Sequence, residues 1–248
     1  GNTIVGPINL STNDTVGLLV DGFDRPPVAM MPYNFPYYID LITNAGYGHK
    51  VVLRAYLVME QTADKRSVML LDRLEERLKR SGITLRQFNV KDFKNEAAKV
   101  RDIYNRAWDK NSGFVPMTEE EFNYTAKDLK MILDPRFAIV AEKDGELVGF
   151  GLGIPDINQI LIKVKKGRLL PTGIFKLLFG KKKINLLRVL MLGVLEDYRK
   201  LGIEACLYGR IIKESKGSNI KGAECSWMLD HNYMMNHAIE QMNGELYK

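Results

Sequence analysis

The chain has 248 residues, of which 46% are hydrophobic, 27% charged and 9% aromatic, the composition of an ordinary globular protein. It contains no uninterrupted run of about 18 apolar residues, so no membrane-spanning helix is predicted. The two cysteines, Cys206 and Cys225, have neither metal-ligand spacing nor the pattern of a disulfide framework, so no metal site is expected. Because no secretion signal is visible, we expect a reducing, cytoplasmic setting.

The net charge of +6 is concentrated in one segment. Residues 157–195 contain nine basic residues and no acid, which leaves −3 for the rest of the chain. A local anionic ligand explains this distribution better than a general affinity for nucleic acid, and no nucleic acid is expected as a partner. The nine are Lys163, Lys165, Lys166, Arg168, Lys176, Lys181, Lys182, Lys183 and Arg188.

The amino-terminal part of the chain predicts short elements separated by loops. A β-branched stretch at residues 3–7 predicts a strand that ends in a turn at Gly6-Pro7. Apolar residues at helical spacing predict a helix over 37–44, and residues 51–59 predict a strand. Apolar residues on one stripe then predict a helix that is capped by Ser67 and ends just before Gly82. A glycine is typical of the position after a helix.

The rest of the chain predicts helices and strands in mixed order. Thr118 and Glu121 have the spacing of a capping box at a helix start, and Asp144-Gly145 is a strong hairpin signal. Beginning at Ile83, the order β-α-α-β-β-β-α-β-α predicts an α/β protein with a mixed sheet rather than a purely parallel one. The ranges are strand 83–90, helix 95–109, a helix after 118, strands 137–142 and 147–154, strand 186–194, helix 202–215, strand 223–229 and helix 233–242.

Residues 196–205, EDYRKLGIEA, lie between a predicted strand and a predicted helix. A glycine there lets the backbone approach a phosphate closely, and the free N–H groups of a helix start favour an anion. The stretch resembles the acyl-CoA pyrophosphate loop of the GNAT superfamily, Gln/Arg-x-x-Gly-x-Gly/Ala, with Arg199 and Gly202 in their places and Glu204 where Gly or Ala is expected. The resemblance assigns the pyrophosphate to Arg199, Lys200, Leu201, Gly202, Ile203, Glu204 and Ala205.

This resemblance implies a GNAT-like acyl-CoA N-acyltransferase fold over residues 83–248. It implies transfer of an acyl group, expected to be acetyl, from acetyl-CoA or another acyl-CoA to a primary amine of a small molecule or peptide, without a metal. The strand before the loop would hold the pantetheine through the backbone of Leu192, Gly193 and Val194. Asn232 resembles the asparagine that precedes the family's last helix and is assigned to the cofactor as well.

Residues 1–62 resemble the last strand–helix–strand part of a second such domain. The predicted organisation is therefore a partial GNAT-like unit over 1–62, a connecting helix over 63–82, and the acyltransferase domain over 83–248. Stretches such as Gly113-Phe114-Val115-Pro116-Met117 look more closely like a little-characterised bacterial group with tandem GNAT-like domains. The final strands that the family has after its last helix are missing from the predicted elements.

Three residues are candidates for acid–base chemistry. Glu224 stands in a strand-like stretch where partial burial would raise its pKa into a useful range, although a solvated glutamate is an equal alternative. His231 follows the same strand and is an alternative base, or serves as a loop hydrogen-bonder. Ile239 occupies the place of the family's leaving-group acid, and Tyr233 is a substitute for it or simply packs.

Two other functions stay open at this stage. Glu204 and Ile239 also fit a GNAT fold that has lost catalysis and only binds. A paired-domain aminoacyl- or fatty-acyl transferase suits the amino-terminal unit and the long basic insertion. For that insertion we favour a mobile lid over the acceptor side of the cleft whose lysines meet the cofactor's phosphates or an anionic acceptor, followed by a solvated surface, and we rank membrane contact last.

Overall fold

The protein was studied as a computed structural model that describes residues 2–9, 11–63, 65–109, 114–164, 167–168 and 170–248. Its centre is a seven-stranded mixed sheet. The strands are β1 (Leu53–Met59), β2 (Ile83–Gln87), β3 (Ala138–Lys143), β4 (Glu146–Pro155), β5 (Leu186–Val194), β6 (Gly222–Leu229) and β7 (Glu245–Leu246). They are ordered β2-β3-β4-β5-β6-β1-β7, with β5 and β6 parallel and the other neighbouring pairs antiparallel.

Helices cover both faces of this sheet. One face packs against Ile203, Leu207 and Ile211, which recur every four residues along one helix. The other face packs against Val100 and Ile103 of another helix. The helices of the described residues are α1 (Tyr37–Asn44), α2 (Lys65–Arg80), α3 (Phe93–Trp108), α4 (Glu119–Ile132), α5 (Asn158–Leu161), α6 (Thr172–Gly180), α7 (Ile203–Ser215) and α8 (Tyr233–Gln241). In this part of the chain, no helix is both long and apolar enough to cross a bilayer.

Several local signals in the sequence are confirmed. Thr118 caps α4 through a hydrogen bond from the Glu121 N–H (3.2 Å), and the Glu121 carboxylate accepts from the Thr118 N–H (2.9 Å). The β3–β4 turn is made by Asp144 and Gly145, with φ of 53° and 83°. Two consecutive left-handed residues match the twist of a tight hairpin, which is why Asp-Gly predicts it.

The amino-terminal segment differs from its prediction. No strand forms at residues 3–7, and only an isolated bridge joins Ile8 and Val16. Strand β1 instead enters the main sheet, antiparallel to β6 from Met59↔Gly222 to Leu53↔Leu229 and to β7 on its other side. The chain thus has a short final strand after α8, and β1 fills the place between that strand and β6. The division into units at residues 62 and 82 stays a prediction.

The predicted connecting helix is α2, and it packs directly on α7. Leu71 fits against Gly209, where an added Cβ would stand 2.9 Å from the Leu71 Cδ1. Leu74 fits against Gly202 in the same way, since a Cβ added at Gly202 would stand 2.6 Å from the Leu74 Cδ2. The two glycines let α2 approach α7 closely, so α2 forms a wall beside the loop that begins α7.

Candidate active site

Strands β5 and β6 separate partway along their length. They are paired from Leu186↔Gly222 to Val189↔Cys225. Beyond that point β5 continues beside β4 as far as Val194↔Gly149, while β6 continues beside β1 as far as Leu229↔Leu53. The sheet therefore contains a wedge, with its narrow end at Val189 and its open end at the carboxyl ends of both strands. Backbone polar groups of residues 190–193 that face the wedge have no strand partner there among the described residues, so they could hold an extended ligand, while the Val194 carbonyl accepts from Arg199.

The three residues assigned to pantetheine lie on one side of this wedge. Gly193 and Val194 are buried and Leu192 is half-buried. A Cβ at Gly193 would stand 3.0 Å from the Phe150 Cε1, so the glycine also serves packing across to β4. Both interpretations of this strand, core element and ligand edge, are compatible with its position, because a ligand would use the backbone and the core uses the side chains.

The loop after β5 has the backbone conformation that an anion site needs. Lys200 and Gly202 both have left-handed conformations, with φ of 69° and 88°, and Gly202 is the residue before α7. Cys206 N–H donates to the Gly202 carbonyl, which is the first hydrogen bond of the helix. The N–H groups of residues 200–205 find no backbone acceptor in the described part of the chain. The Glu204 N–H is engaged by its own carboxylate, and the other donors at this helix start are of the kind that attracts phosphate.

Arg199 holds this loop in place. Its guanidinium donates to the Val194 carbonyl (3.3 Å) and to the Ala107 carbonyl (2.5 Å). The side chain thus ties the loop to the end of β5 and to the last turn of α3. Two guanidinium donors are used for these bonds, so the arginine side chain positions the loop. The backbone N–H groups of the following loop residues remain for a phosphate.

Glu204 lies in the first turn of α7 and is half-buried. Burial raises the pKa of its carboxyl, against the opposing effects of its own N–H group and of Arg199. A carboxylate that close to these groups occupies the electrostatic environment that a phosphate would use. The sequence offers two alternatives, that this side chain turns away or that a pyrophosphate meets a like charge, and the hydrogen bond from its own N–H keeps the carboxyl at the helix start.

A hollow adjoins the loop on the side of α2. Its volume is about 330 Å³. Two cations, Arg77 of α2 and Lys200 of the loop, stand in its wall. Sequence reasoning missed Arg77, since nothing local relates the last turns of α2 to a loop more than a hundred residues later. The lining residues are Leu74, Arg77, Leu78, Ser81, Lys200, Leu201 and Gly202.

Glu224 lies at the narrow end of the wedge and is completely buried. Its Oε2 is 3.6 Å from the Nε of Arg188, also buried, and its Oε1 accepts from the Tyr247 hydroxyl at 3.4 Å. Burial raises the pKa of Glu224 to about 7, because the loss of hydration outweighs Arg188 and the hydrogen bonds. The solvated alternative is therefore wrong. Arg188 is a charge within an apolar strand, and such a charge needs a buried partner, a signal that was present in the sequence.

The pair between Arg188 and Glu224 is only partly satisfied. Arg188 Nη1 donates to the Ala29 carbonyl at 2.5 Å, but Arg188 Nε and Glu224 Oε2 have no hydrogen-bond partner among the described atoms. Burial also lowers the pKa of Arg188 from its ordinary value. A buried pair with loose geometry contributes little stability, and it leaves one carboxylate oxygen without a hydrogen-bond donor.

Residues 27–31 cover this pair. Ala29 N–H donates to Asp156 Oδ1 at 2.8 Å, and the Asn158 side-chain amide donates to the Pro27 carbonyl at 2.9 Å. The Ser226 hydroxyl reaches the Met31 sulfur at 3.4 Å. The covering segment explains why Glu224 is sealed from solvent, which local pattern could not predict because the contacts join residues more than a hundred positions apart.

His231, Asn232 and Tyr233 lie elsewhere, at the open end of the wedge. All three are exposed, with 76% of Tyr233 accessible. Asn232 caps α8 by accepting from the Met235 N–H at 3.4 Å, so its side chain has a structural partner. Glu224 is five residues before Leu229, the last residue of β6. At about 3.3 Å per residue, it lies about 16 Å from that end of the strand. The structure therefore separates Glu224 from the other two acid–base candidates, and Ile239 is fully buried.

The basic insertion joins β4 to β5 and starts at the opposite end of β5 from the phosphate loop. At about 3.3 Å per residue, the nine-residue strand separates these ends by about 26 Å. Its anchors are at the same end: Lys181 donates to the Met131 carbonyl (2.9 Å), and Asn219 donates to the Lys182 carbonyl (2.5 Å). The insertion therefore lies away from residues 199–205, so its lysines are not placed to meet phosphates held there, and the expected lid over the acceptor side of the cleft stays a prediction. Lys165 and Lys166, like Gly113 of the motif above, lie outside the described residues.

The chain was compared with known proteins. It is 35% identical over 255 residues to a Caulobacter vibrioides protein named bacterial ceramide synthase, covering 98% of this chain and 64% of that protein. It is 33% identical over 251 residues to the Escherichia coli protein YghO, covering 99% of this chain and 63% of that protein. The chain thus spans just under two thirds of the length of these curated relatives. No protein-family model matches it.

Among solved structures, the GCN5-related N-acetyltransferase from Sphaerobacter thermophilus superposes with a TM-score of 0.50. The likeness covers 84% of this chain and 52% of that one, at 13% sequence identity. A likeness at this identity is one of fold. The mixed α/β fold of the GNAT type, predicted from the order of elements and from the loop, is confirmed.

Proposed function

We propose that the chain transfers an acyl group from an acyl-CoA to an amine. The observation that carries this proposal is the wedge between β5 and β6, followed directly by a loop whose N–H groups at residues 200–205 lack backbone acceptors in the described chain. One feature suits an extended thioester arm and the other suits the phosphates attached to it. The wedge side of β5 and the following loop both leave backbone hydrogen-bonding groups without backbone partners. Unpaired backbone groups destabilise a fold, so two such stretches in succession favour a bound ligand.

The chemistry requires one bond to form as another breaks. The amine nitrogen attacks the thioester carbonyl carbon, the new C–N bond replaces the C–S bond, and the nitrogen gives up one proton as the thiolate gains one. Glu224 is the proposed acceptor of the amine proton, since a carboxyl with a pKa of about 7 is partly ionised at neutral pH. Backbone N–H groups on the β5 side of the wedge would stabilise the carbonyl oxygen. Tyr233 stays a prediction for the acid that protonates the thiolate, and His231 stays the alternative base.

Two versions of the acyl group and the acceptor are distinguished by experiment. The resemblance implies acetyl transfer to a primary amine of a small molecule or peptide. The 35% identity to a protein named ceramide synthase favours a second version, in which a fatty acyl group is joined to a long-chain amine. A reducing, cytoplasmic location is retained for both.

The test is direct binding followed by product analysis. Titration calorimetry of the full chain with CoA, acetyl-CoA and palmitoyl-CoA is expected to give saturable binding. Mass spectrometry after incubation with each thioester and either a small primary amine or a sphingoid base is expected to show an amide product for one pairing. Glu224→Gln should keep binding and lose product, whereas Glu60→Gln, an exposed glutamate, should change neither. No binding at millimolar CoA contradicts the proposal, and binding without product in any pairing supports the non-catalytic alternative.

A further inference from the structure

Helices α5 and α6 expose an apolar surface. Between 40% and 74% of each of its side chains is accessible. Soluble proteins leave single apolar residues exposed, but a contiguous group marks a surface that binds a partner. The members of this group, called the apolar crown below, are Leu161, Ile162, Leu170, Phe175, Leu178 and Phe179.

The orientation of α6 explains why the crown faces outward. The inner side of α6 is made by Gly173, Ile174, Leu177 and Gly180, of which Leu177 packs on the sheet core. A Cβ at Gly173 would stand 2.7 Å from the Arg168 carbonyl, and one at Gly180 would stand 3.0 Å from Ile160. Phe175, Leu178 and Phe179, at i, i+3 and i+4, therefore share the opposite side. The rings of Phe175 and Phe179 are stacked with their centroids 6.5 Å apart.

Cations border the crown. Lys176 on α6 donates to the Lys163 carbonyl (2.7 Å), which fixes its ammonium at the end of α5. Residues 181–183 form a lysine turn after α6, and all three are exposed. No acid occurs between residues 157 and 195, so neither element of this surface carries an internal counter-charge. The described cations are Lys163, Arg168, Lys176, Lys181, Lys182 and Lys183.

We propose that this surface binds to membranes that contain anionic phospholipids, with the apolar crown inserted among the headgroups. Apolar and aromatic side chains surrounded by lysines are the composition of interfacial helices. From sequence alone, membrane contact ranks behind a lid and a solvated surface. The exposure of six large apolar residues and the distance of the segment from residues 199–205 reverse that ranking. A nucleic acid would leave the crown unused, and a solvated surface would not expose it. The inference goes beyond acyl transfer and does not depend on it.

The magnitude of the effect follows from the two parts of the surface. A cation near an anionic bilayer contributes about fivefold in partitioning, so three lysines together contribute about a hundredfold at low salt, and less as salt screens them. Each inserted large side chain contributes a further factor of about ten. Removal of either part should therefore be measurable.

The experiment is vesicle sedimentation with the full chain. Vesicles of phosphatidylcholine alone are compared with vesicles in which about a third of the lipid is phosphatidylglycerol. Binding is expected to the anionic vesicles and to weaken at high salt. The triple variant Phe175→Ser, Leu178→Ser, Phe179→Ser and the triple variant Lys181→Gln, Lys182→Gln, Lys183→Gln should each lower partitioning at least about tenfold.

Matched controls separate this surface from general attraction. Tyr124→Ser with Met234→Ser removes two equally exposed apolar residues elsewhere. Lys91→Gln, Lys94→Gln, Lys99→Gln removes three exposed charges near and along α3. Both controls should bind like the parent chain. Failure to bind anionic vesicles, or an equal loss in the controls, overturns the proposal.

A fluorescent probe gives a second readout that does not depend on quantity bound. An environment-sensitive label on Phe179→Cys should shift to the blue when anionic vesicles are added, because the site would enter the headgroup region, while the native cysteines are buried and poorly accessible to the label. A label whose emission does not move while the chain sediments shows attachment by another surface and also overturns the proposal. Circular dichroism confirms that each variant is folded.

Discussion

Replacement of Glu224 by glutamine tests the proposed chemistry most sharply. The substitution keeps the size of the side chain and removes its titration. In the parent chain, kcat/KM should rise with pH as the carboxyl, whose pKa burial raises to about 7, becomes ionised. In Glu224→Gln, kcat/KM should fall by about a hundredfold or more and lose this rise, because a general base contributes about that factor. Affinity for CoA measured by calorimetry should stay the same.

The same carboxyl predicts how stability depends on pH. Its ordinary pKa is 4.5 and its folded pKa is about 7, so the folded state holds an extra proton between these values. Stability is therefore fully present below about pH 4.5 and is lost as pH rises through about pH 7. The difference of about 2.5 between the two pKa values corresponds to at most about 3 kcal/mol of unfolding free energy. Urea unfolding of the parent chain across this range should show that slope superimposed on the titration of other groups.

The comparison with Glu224→Gln isolates the contribution, although one consequence complicates it. The variant leaves the Arg188 guanidinium buried without its counter-charge, which costs about 3–5 kcal/mol. The double variant Arg188→Met, Glu224→Gln removes both charges and should recover much of that loss. Both variants should lack the part of the slope between about pH 5 and 7 that belongs to Glu224. An unchanged slope, or kcat/KM in Glu224→Gln equal to that of the parent chain, would refute the assignment.

Three more predictions concern the loop and its neighbours. Glu204→Gln should bind CoA about fivefold more tightly by calorimetry, because one like charge is worth about 1 kcal/mol at a partly exposed site; unchanged or weaker binding would contradict this. Arg199→Lys should weaken CoA binding about tenfold, since a single ammonium cannot reproduce both bonds to the Val194 and Ala107 carbonyls; wild-type affinity would show that those bonds do not organise the loop. Gly209→Ala should lower the unfolding free energy by about 1–3 kcal/mol, because its Cβ would press on Leu71, whereas Gly48→Ala, where the added Cβ meets nothing within 4 Å, should be neutral in urea unfolding.

Local pattern predicted the elements better than their partners. The capping box at Thr118, the hairpin at Asp144-Gly145 and the helix over α3 depend on a few neighbouring residues, and each formed as expected. Strand β1 was identified, but its place between β6 and β7 depends on residues about 170 positions away. Alternation of apolar and polar residues predicts which face of a strand is buried, but it does not predict which strand lies beside it. The same reason hides the cover over Glu224, in which residues 27–31 contact Asp156, Asn158, Arg188 and Ser226.

The candidate site was predicted unevenly for the same physical reason. The left-handed glycine before α7 was predictable because a loop that would bind phosphate needs a glycine and a helix start within a few residues, a local requirement; phosphate binding itself stays a proposal. The buried acid was found as a residue, but its partner was not, because Arg188 and Glu224 meet through the parallel register of β5 and β6. Asn232 has a local structural role as well, because its side chain caps α8, and its assignment to the cofactor stays a prediction.

Helix α5, which carries one residue of the apolar crown, also helps to hold the cover over Glu224. Asn158 is the first residue of α5 and donates to the Pro27 carbonyl, while Asp156, two residues earlier, accepts from the Ala29 N–H. Leu161 at the end of the same short helix is part of the crown. Residues 27–31 cannot leave the Arg188–Glu224 pair without giving up these bonds and the one from Arg188 to the Ala29 carbonyl. Access to the buried carboxylate is therefore mechanically tied to α5, the element that faces a membrane in the proposed orientation.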